Sequence, residues 1–269
     1  MIIVPLGFIL QINTGAYYID NPFSKFGVGI DKEEQPIKTS EFLNKNQLKG
    51  KIINSIGYGG WLSWYLSEPI FIDARLGVIK EQLYQEVTNS WNGGLAKLIS
   101  KYNPKLIVYN YTKYLPWTLQ LSQMPDWRLI YLDNEAAIYA YKDYATNIKS
   151  INFATLPLQY NISTDTSEQE IINILKTKPY NKFTVFIESF FKKTDNKKDL
   201  INIASFLLQN KEYKIAEKFF LADIKINKGK NNFVYYALAD IYQKTGKYKK
   251  LDLCLSKIKS KKKKKEKYQ

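Results

Sequence analysis

The sequence predicts an α/β fold: a three-layer domain with a mainly parallel sheet and an antiparallel edge hairpin, followed by an all-α region of helical repeats. Three observations lead there. Across residues 51–143, short β-rich runs alternate with amphipathic segments, the pattern of strands linked by crossover helices. Two further β-rich runs, 127–132 and 136–141, are joined only by Asp133-Asn134-Glu135, a hairpin-length polar connection. Beyond residue 167 the period becomes helical, and two segments echo one another at a fixed interval.

The elements follow in chain order. Residues 20–35 carry Asn21-Pro22, Gly27 and Gly29 and read as a loop. Thr39 or Ser40 can cap a short helix reaching Leu48, with Phe42, Leu43 and Leu48 as its apolar face and Gly50 closing it. Residues 51–55 form a first strand, and Gly57-Tyr58-Gly59-Gly60 turns the chain into a helix that Pro69 stops. Ile70 to Asp73 is a continuous apolar run of the kind a parallel sheet buries on both faces, and is expected as the second strand. Helical periodicity covers 80–87 and 95–102 around Asn92-Gly93-Gly94. Residues 105–111 are the third strand, and Pro116 opens a helix through Leu121.

Residues 146–166 are polar and irregular apart from a brief apolar run at 153–158, and read as a linker between the α/β domain of 19–145 and a helical domain of 167–258. In the helical part Ala204 and Ala239 are 35 residues apart, as are Tyr213 and Tyr248, while Leu251 stands where Ala216 was. Tyr235, Leu238, Ala239, Tyr242, Gly246 and Tyr248 follow the tetratricopeptide helix-turn-helix pattern, whose usual period is about 34. A small Ala239 lets paired helices approach, and Gly246 is expected to end its helix in the left-handed conformation. In standard register Asn232, Tyr236 and Gln243 reach the concave groove and form the expected protein-binding surface.

Composition narrows the chemistry. The 269 residues include no histidine and one cysteine, so Ser-His-Asp and Cys-His nucleophile systems, thiolate zinc sites and intrachain disulfides cannot be built. Cys254 lies among Leu251, Leu253 and Leu255 and reads as an inert core thiol. The formal net charge is +15, but about half of it sits in residues 257–267, where eight lysines face Glu266. A basic tail at 259–269 with no arginine argues against nucleic acid and for a solvated terminus with salt-sensitive attraction to anionic surfaces. Residues 1–19 carry no charge, yet the apolar run breaks down at Gln11, Asn13 and Thr14, short of the ~20 residues a spanning helix needs. Segment 1–18 therefore reads as a buried strand or as the end of a membrane helix, and in the second case it supplies membrane contact.

Polar side chains at the carboxyl ends of strands are where open α/β sheets keep ligands, which makes Asn54, Asp73 and Arg75 the site candidates. Gly59 and Gly60 join them because a glycine-rich helix start can offer N–H groups to an anion. Their spacing matches neither the dinucleotide fingerprint nor the P-loop, and a tight turn needing positive φ is the simpler expectation. Asp73 and Arg75 share one side of an extended segment and are expected to act mainly as a structural ion pair, with Arg75→Ala lowering the melting temperature clearly. Asn54 is equally suited to tying down a turn. No metal site, cofactor or catalytic residue is predicted.

The order of motifs carries a resemblance. Phe26-Gly27-Val28-Gly29-Ile30-Asp31, Gln35-Pro36-Ile37, Gly50-Lys51-Ile52-Ile53-Asn54, Gly59-Gly60-Trp61-Leu62 and Phe71-Ile72-Asp73-Ala74-Arg75 resemble the extracytoplasmic C-terminal region of bacterial polytopic glycosyltransferase-like proteins related to the dolichyl-phosphate-mannose mannosyltransferases. The similarity continues through Lys105-Leu106-Ile107-Val108 and residues 127–139. It implies a non-catalytic extracytoplasmic domain at a bacterial inner membrane, since the family's catalytic carboxylate lies in an early loop among membrane helices to which nothing here corresponds. Tetratricopeptide repeats often follow such regions, implying a protein or peptide partner. Ala74 stands where the family commonly has Gly. The alternative expectation is an independent soluble protein, cytoplasmic in location, whose α/β domain binds a small anionic ligand.

Overall fold

In the computed structural model, residues 35–176 and 200–266 are described, except 76, 78, 164, 165, 228 and 230. The segment 1–18, nearly all of the loop expected at 20–35, and residues 177–199 lie outside the described residues. Helix α1 (Ile37–Lys45) leads to strand β1 (Ile52–Asn54) and helix α2 (Ile56–Tyr65). Helices α3 (Glu81–Asn89) and α4 (Leu95–Tyr102) are joined through a widened turn, Ser90–Gly94, in which Gly93 has φ +98°. Strand β2 (Leu106–Asn110), helix α5 (Leu115–Leu121) and the hairpin β3 (Trp127–Leu132) and β4 (Ala136–Tyr141) complete the α/β part.

The fold is mixed α/β, and its sheet has the order β1-β2-β4-β3. The expectation of a mainly parallel sheet is corrected: β1 and β2 run parallel, whereas β2–β4 and β3–β4 are both antiparallel. One sequence reading accounts for the difference: the apolar run at 70–73 lies against the end of β1 but does not join the ladder. The antiparallel hairpin forms an edge of the sheet as expected, with β4 next to β2 and β3 outermost.

Strict alternation divides the sheet between two cores. Ile53, Ile107, Tyr109, Ala137 and Tyr139 face one side, with Leu95, Leu98, Trp117 and Leu121 from α4 and α5. Ile52, Leu106, Val108, Ile138 and Ala140 face the other, covered by Leu43 of α1 and by Tyr58 and Leu62 of α2. Leu129 pairs with Tyr139 and Tyr131 with Ile138, so one extra residue, Ile130, bulges from β3. The bulge resets parity: Ile130 and Tyr131 both turn to the α1–α2 side, and Leu132 returns to the other.

Two turn readings are corrected as well. Gly57 to Gly60 are not a positive-φ turn but the first turn of α2, with Ser55 at the N-cap position, its hydroxyl accepting instead from the Asn110 N–H. Helix α1 begins at Ile37, and Ser40 sits inside it, its hydroxyl donating to the Pro36 carbonyl at 2.8 Å. A hydroxyl that bonds back one turn competes with the helix rather than capping it, a role permitted here because Ser40 is buried.

The segment between sheet and helices is packed. A 3₁₀ turn (Phe153–Thr155) and a short helix α6 (Leu156–Gln159) bury Leu156, and Tyr160 sets its ring edge-on to Phe219. Helices α7 (Glu168–Lys176), α8 (Leu200–Gln209), α9 (Tyr213–Asn227), α10 (Asn232–Lys244) and α11 (Tyr248–Glu266) follow. The core beneath α4 and α5 continues into them: Phe206 of α8 meets Tyr111 at 4.9 Å between ring centres, and Asn202 donates to the Asn134 carbonyl at the hairpin tip. Helix α11 carries the chain to Glu266, so part of the stretch read as a solvated tail is helical. Lysine is a good helix former, and cations near a helix C-terminus oppose its dipole favourably.

The 35-residue echo is present in the backbone. Gly246 has φ +69° and Lys211, 35 positions earlier, has φ +61°. The turn bonds repeat with the same offset: Lys211 N–H to Leu208 and Glu212 N–H to Leu207 are matched by Gly246 N–H to Gln243 and Lys247 N–H to Tyr242. Both helices that follow, α9 and α11, start 35 residues apart, at Tyr213 and Tyr248.

Candidate functional site

Four of the candidate residues, Asn54, Gly59, Asp73 and Arg75, converge at one place, the free edge of β1, and each contacts another part of the chain there. Strand β1 ends in Asn54, which is completely buried. Its amide nitrogen donates to the Ile72 carbonyl at 2.6 Å, and its oxygen accepts the Phe71 N–H at 2.9 Å. One side chain thus supplies the donor and acceptor that a neighbouring strand would otherwise offer. These bonds hold 70–73 against the end of β1 without a strand pairing.

Gly59 completes the clamp from α2. A Cβ built on it would stand 1.9 Å from the Ile72 carbonyl oxygen and 2.6 Å from the Asp73 Cα, separations no side chain can occupy. The glycine is there for backbone approach: only a residue without a Cβ lets α2 come this close to 72–73. Gly60 differs. It is exposed, and a Cβ there would meet nothing within 4 Å.

Asp73 is buried beneath Arg75, which is largely exposed. The Asp73 carboxylate accepts the Arg75 backbone N–H at 2.9 Å through one oxygen and the guanidinium Nε at 2.7 Å through the other. The guanidinium bond first, and then the backbone N–H, hold the Asp73 carboxyl below its usual range. The pair is therefore asymmetric, with a sequestered acid and a solvated base, rather than a buried ion pair. That geometry weakens the expectation of a large stability loss on removing Arg75, because a solvated guanidinium contributes little.

The N-terminus of α2 is partly engaged by protein groups. The Ile56 N–H donates to the Tyr114 hydroxyl at 3.2 Å, and the Tyr58 N–H returns to the Ser55 carbonyl. Two residues missed by the sequence reading do the same work at other strand ends as Asn54 does at β1. Asn110, closing β2, accepts from the Thr112 and Lys113 N–H groups and the Thr112 hydroxyl. Asp133, closing β3, accepts from the Glu135 and Ala136 N–H groups and the Tyr131 hydroxyl. An Asn or Asp as the last residue of a strand, with a turn behind it, was the available signal. Burial, then the nearby Asp133 and Glu135 carboxylates, push the Tyr58 phenol well above its ordinary value and keep it neutral.

In the helical part Asn232, Tyr236 and Gln243 lie along one exposed stripe of α10, with Tyr236 57% exposed. Behind them is a buried polar cluster. Glu217 of α9 receives Lys247 at 2.7 Å and lies 3.7 Å from Lys250. Burial first and the Glu217 charge second raise the Tyr242 phenol, and the same two causes push the Cys254 thiol up to about 12. Cys254 is thus a packed thiol without nucleophilic character. Among the described residues no group of three or more acidic or thiol side chains is placed to hold a metal, and no helix is long and apolar enough to cross a membrane. No family model, curated protein or solved structure matches the chain.

Proposed function

We propose that this chain is the non-catalytic extracytoplasmic part of a membrane glycosyltransferase-like protein, with its tetratricopeptide-like helical hairpins serving to bind a protein or peptide. The observation that supports the binding role best is the repetition of turn, left-handed residue and helix start at an offset of 35, with Asn232, Tyr236 and Gln243 exposed on one stripe of α10. Stacked hairpins of this kind present extended surfaces for partner chains. The order of motifs from Phe26 to Arg75 supports the placement beside a membrane enzyme. An anionic ligand at the β1 edge finds less support, because Asn54 and Asp73 already spend their polar atoms on the backbone of 71–75.

The test has two arms, one on the purified full chain and one in cells. Incubation with polyprenyl-phosphate sugars and with sugar nucleotides is expected to give no transfer or hydrolysis above a denatured control; turnover abolished by Asp73→Asn would overturn the non-catalytic reading. A photo-crosslinking residue in place of Tyr236, introduced in cells, is expected to trap a discrete membrane-protein partner. The same residue in place of Ser122, the C-cap of α5, should not.

A further inference from the structure

We infer that Asn92-Gly93, at the tip of the widened turn between α3 and α4, is a site of spontaneous covalent modification: deamidation through a cyclic imide to aspartate and isoaspartate. The sequence holds this one Asn-Gly pair. Asparagine is among the thermolabile residues, and where it reacts is decided by the freedom of the backbone nitrogen that follows it. That nitrogen, deprotonated by hydroxide, attacks the Asn92 side-chain carbonyl carbon; the new C–N bond closes a five-membered ring, and the side-chain nitrogen leaves as ammonia. Water then breaks either the new bond, giving aspartate, or the original peptide bond, giving isoaspartate, whose main chain runs through the former side chain. One water is consumed and one ammonia released, with no oxidant or second protein required.

Three features of the turn favour closure at this pair. Both residues are exposed, so hydroxide and water reach them. Ring closure needs rotation about the Asn92 ψ, and Asn92, at φ −99° and ψ 34°, already stands outside the helical backbone that would resist it. Gly93 has φ +98° and brings no Cβ into the approach of its nitrogen to the side-chain carbonyl. The flanks of the turn are meanwhile clamped to α5. The Ser90 hydroxyl accepts the Trp117 indole N–H, the Ser90 carbonyl accepts the Gln120 amide, and the Leu95 N–H donates to Gln120 Oε1, each at 2.9 Å. Both the closing motion and the extra backbone atom of isoaspartate are thereby confined to the tip, and the folded chain can carry the product. Two other asparagines precede a serine and lack these features. Asn54 is completely buried, with its amide nitrogen held by the Ile72 carbonyl at 2.6 Å. Asn89 ends α3, and the Ser90 N–H behind it is already bonded to the Glu86 carbonyl.

Peptide mapping of the full chain tests it. Folded protein is held at 37 °C at pH 6 and at pH 9 and digested briefly with trypsin. Peptide 81–97, bounded by Lys80 and Lys97, is then sequenced by electron-transfer fragmentation, which separates Asn89 from Asn92 and aspartate from isoaspartate. Conversion at Asn92 is expected to be at least tenfold faster at pH 9, because the attacking nitrogen must lose its proton. It should yield isoaspartate as well as aspartate and run at least tenfold ahead of Asn89 and of Asn54. Gly93→Ala should slow it at least tenfold, but that variant strains a residue at φ +98°. Asn92→Gln therefore carries the test: it leaves Gly93 in place, would need a six-membered ring to close, and should cut conversion at least tenfold. A folded chain that stays unchanged at Asn92 while the urea-unfolded chain converts would overturn the proposal, because the turn would then protect the pair. Conversion led by Asn89, aspartate formed without isoaspartate, or equal conversion in Asn92→Gln would overturn it as well.

Discussion

Asn54 holds Ile72 as a strand would: its amide donates to the Ile72 carbonyl at 2.6 Å, and its oxygen accepts the adjoining Phe71 N–H. Asn54 and the Ile72 carbonyl are buried, so that carbonyl has little water to fall back on. Asn54→Ala leaves a backbone donor and a carbonyl unpaired, each costing on the order of 1–3 kcal/mol. Asn54→Asp is the sharper test. It keeps an acceptor for Phe71 but turns a second oxygen towards the Ile72 carbonyl, and should melt no higher than Asn54→Ala. Thermal unfolding followed by circular dichroism measures both, and an aspartate variant as stable as the parent would refute the clamp.

The two adjacent glycines of α2 should respond in opposite directions. At Gly59 a methyl group collides with backbone at Ile72 and Asp73, which cannot move away as a flexible side chain could. Gly59→Ala should cost at least the ~1–3 kcal/mol typical of overpacking. Gly60 is helical, exposed and unobstructed, so Gly60→Ala should stabilise by up to about 1 kcal/mol through helix propensity. Urea denaturation of the two variants side by side decides the matter; similar losses at both positions would mean that the segment at 70–75 is not packed on α2 as described.

Asp73 gives a pH dependence whose sign follows from its lowered carboxyl. Because its folded value lies below its unfolded one, the stabilisation is fully present above the unfolded value of about 4 and is lost as pH falls through the folded value. Arg75→Ala removes the larger cause but leaves the backbone N–H in place, so the carboxyl should titrate closer to its ordinary value without reaching it. Carboxyl carbon chemical shifts followed from pH 2 to 6 report this directly. An unchanged Asp73 titration in the variant would mean that the guanidinium does not hold the carboxylate in solution.

These contrasts mark what was legible in the sequence. Strands β1 and β2 and the hairpin were readable from apolar runs bounded by turns, α3 and α4 from their period, and α5 from the proline that opens it. The run at 70–73 misled because an irregular segment gripped by a side chain has the same apolar content as a strand in a ladder. Gly57 to Gly60 misled because glycine density signals turns, whereas here one glycine answers to a carbonyl 13 residues away in sequence. Of the candidate site, the grouping of Asn54, Gly59, Asp73 and Arg75 was foreseeable from strand ends. That Asn54 and Asp73 face inward was not, since the sequence gives no direction to a side chain. Residues 153–158 were recognised as apolar, but the partner of Phe153, Phe206, lies 53 residues away, and that of the following Tyr160, Phe219, lies 59 away, beyond the reach of local pattern.

The repeat offers the last test. Gly246 and Lys211 occupy equivalent turns, yet only one is glycine, which is why the first copy was hard to delimit from sequence. A left-handed conformation costs an L-residue roughly 1–2 kcal/mol relative to glycine. Gly246→Val places a β-branched side chain at φ +69° and should destabilise by at least that amount. Lys211→Gly relieves the same strain in the first copy and should stabilise, though by less than 1 kcal/mol, because glycine also gains freedom in the unfolded chain. The double variant should come out near the sum, since the turns share no partner. Differential scanning calorimetry on the three variants reads each shift. If Lys211→Gly destabilised the chain as strongly as Gly246→Val, the two turns would not be equivalent, and the 35-residue repeat would be an accident of spacing rather than a duplicated hairpin.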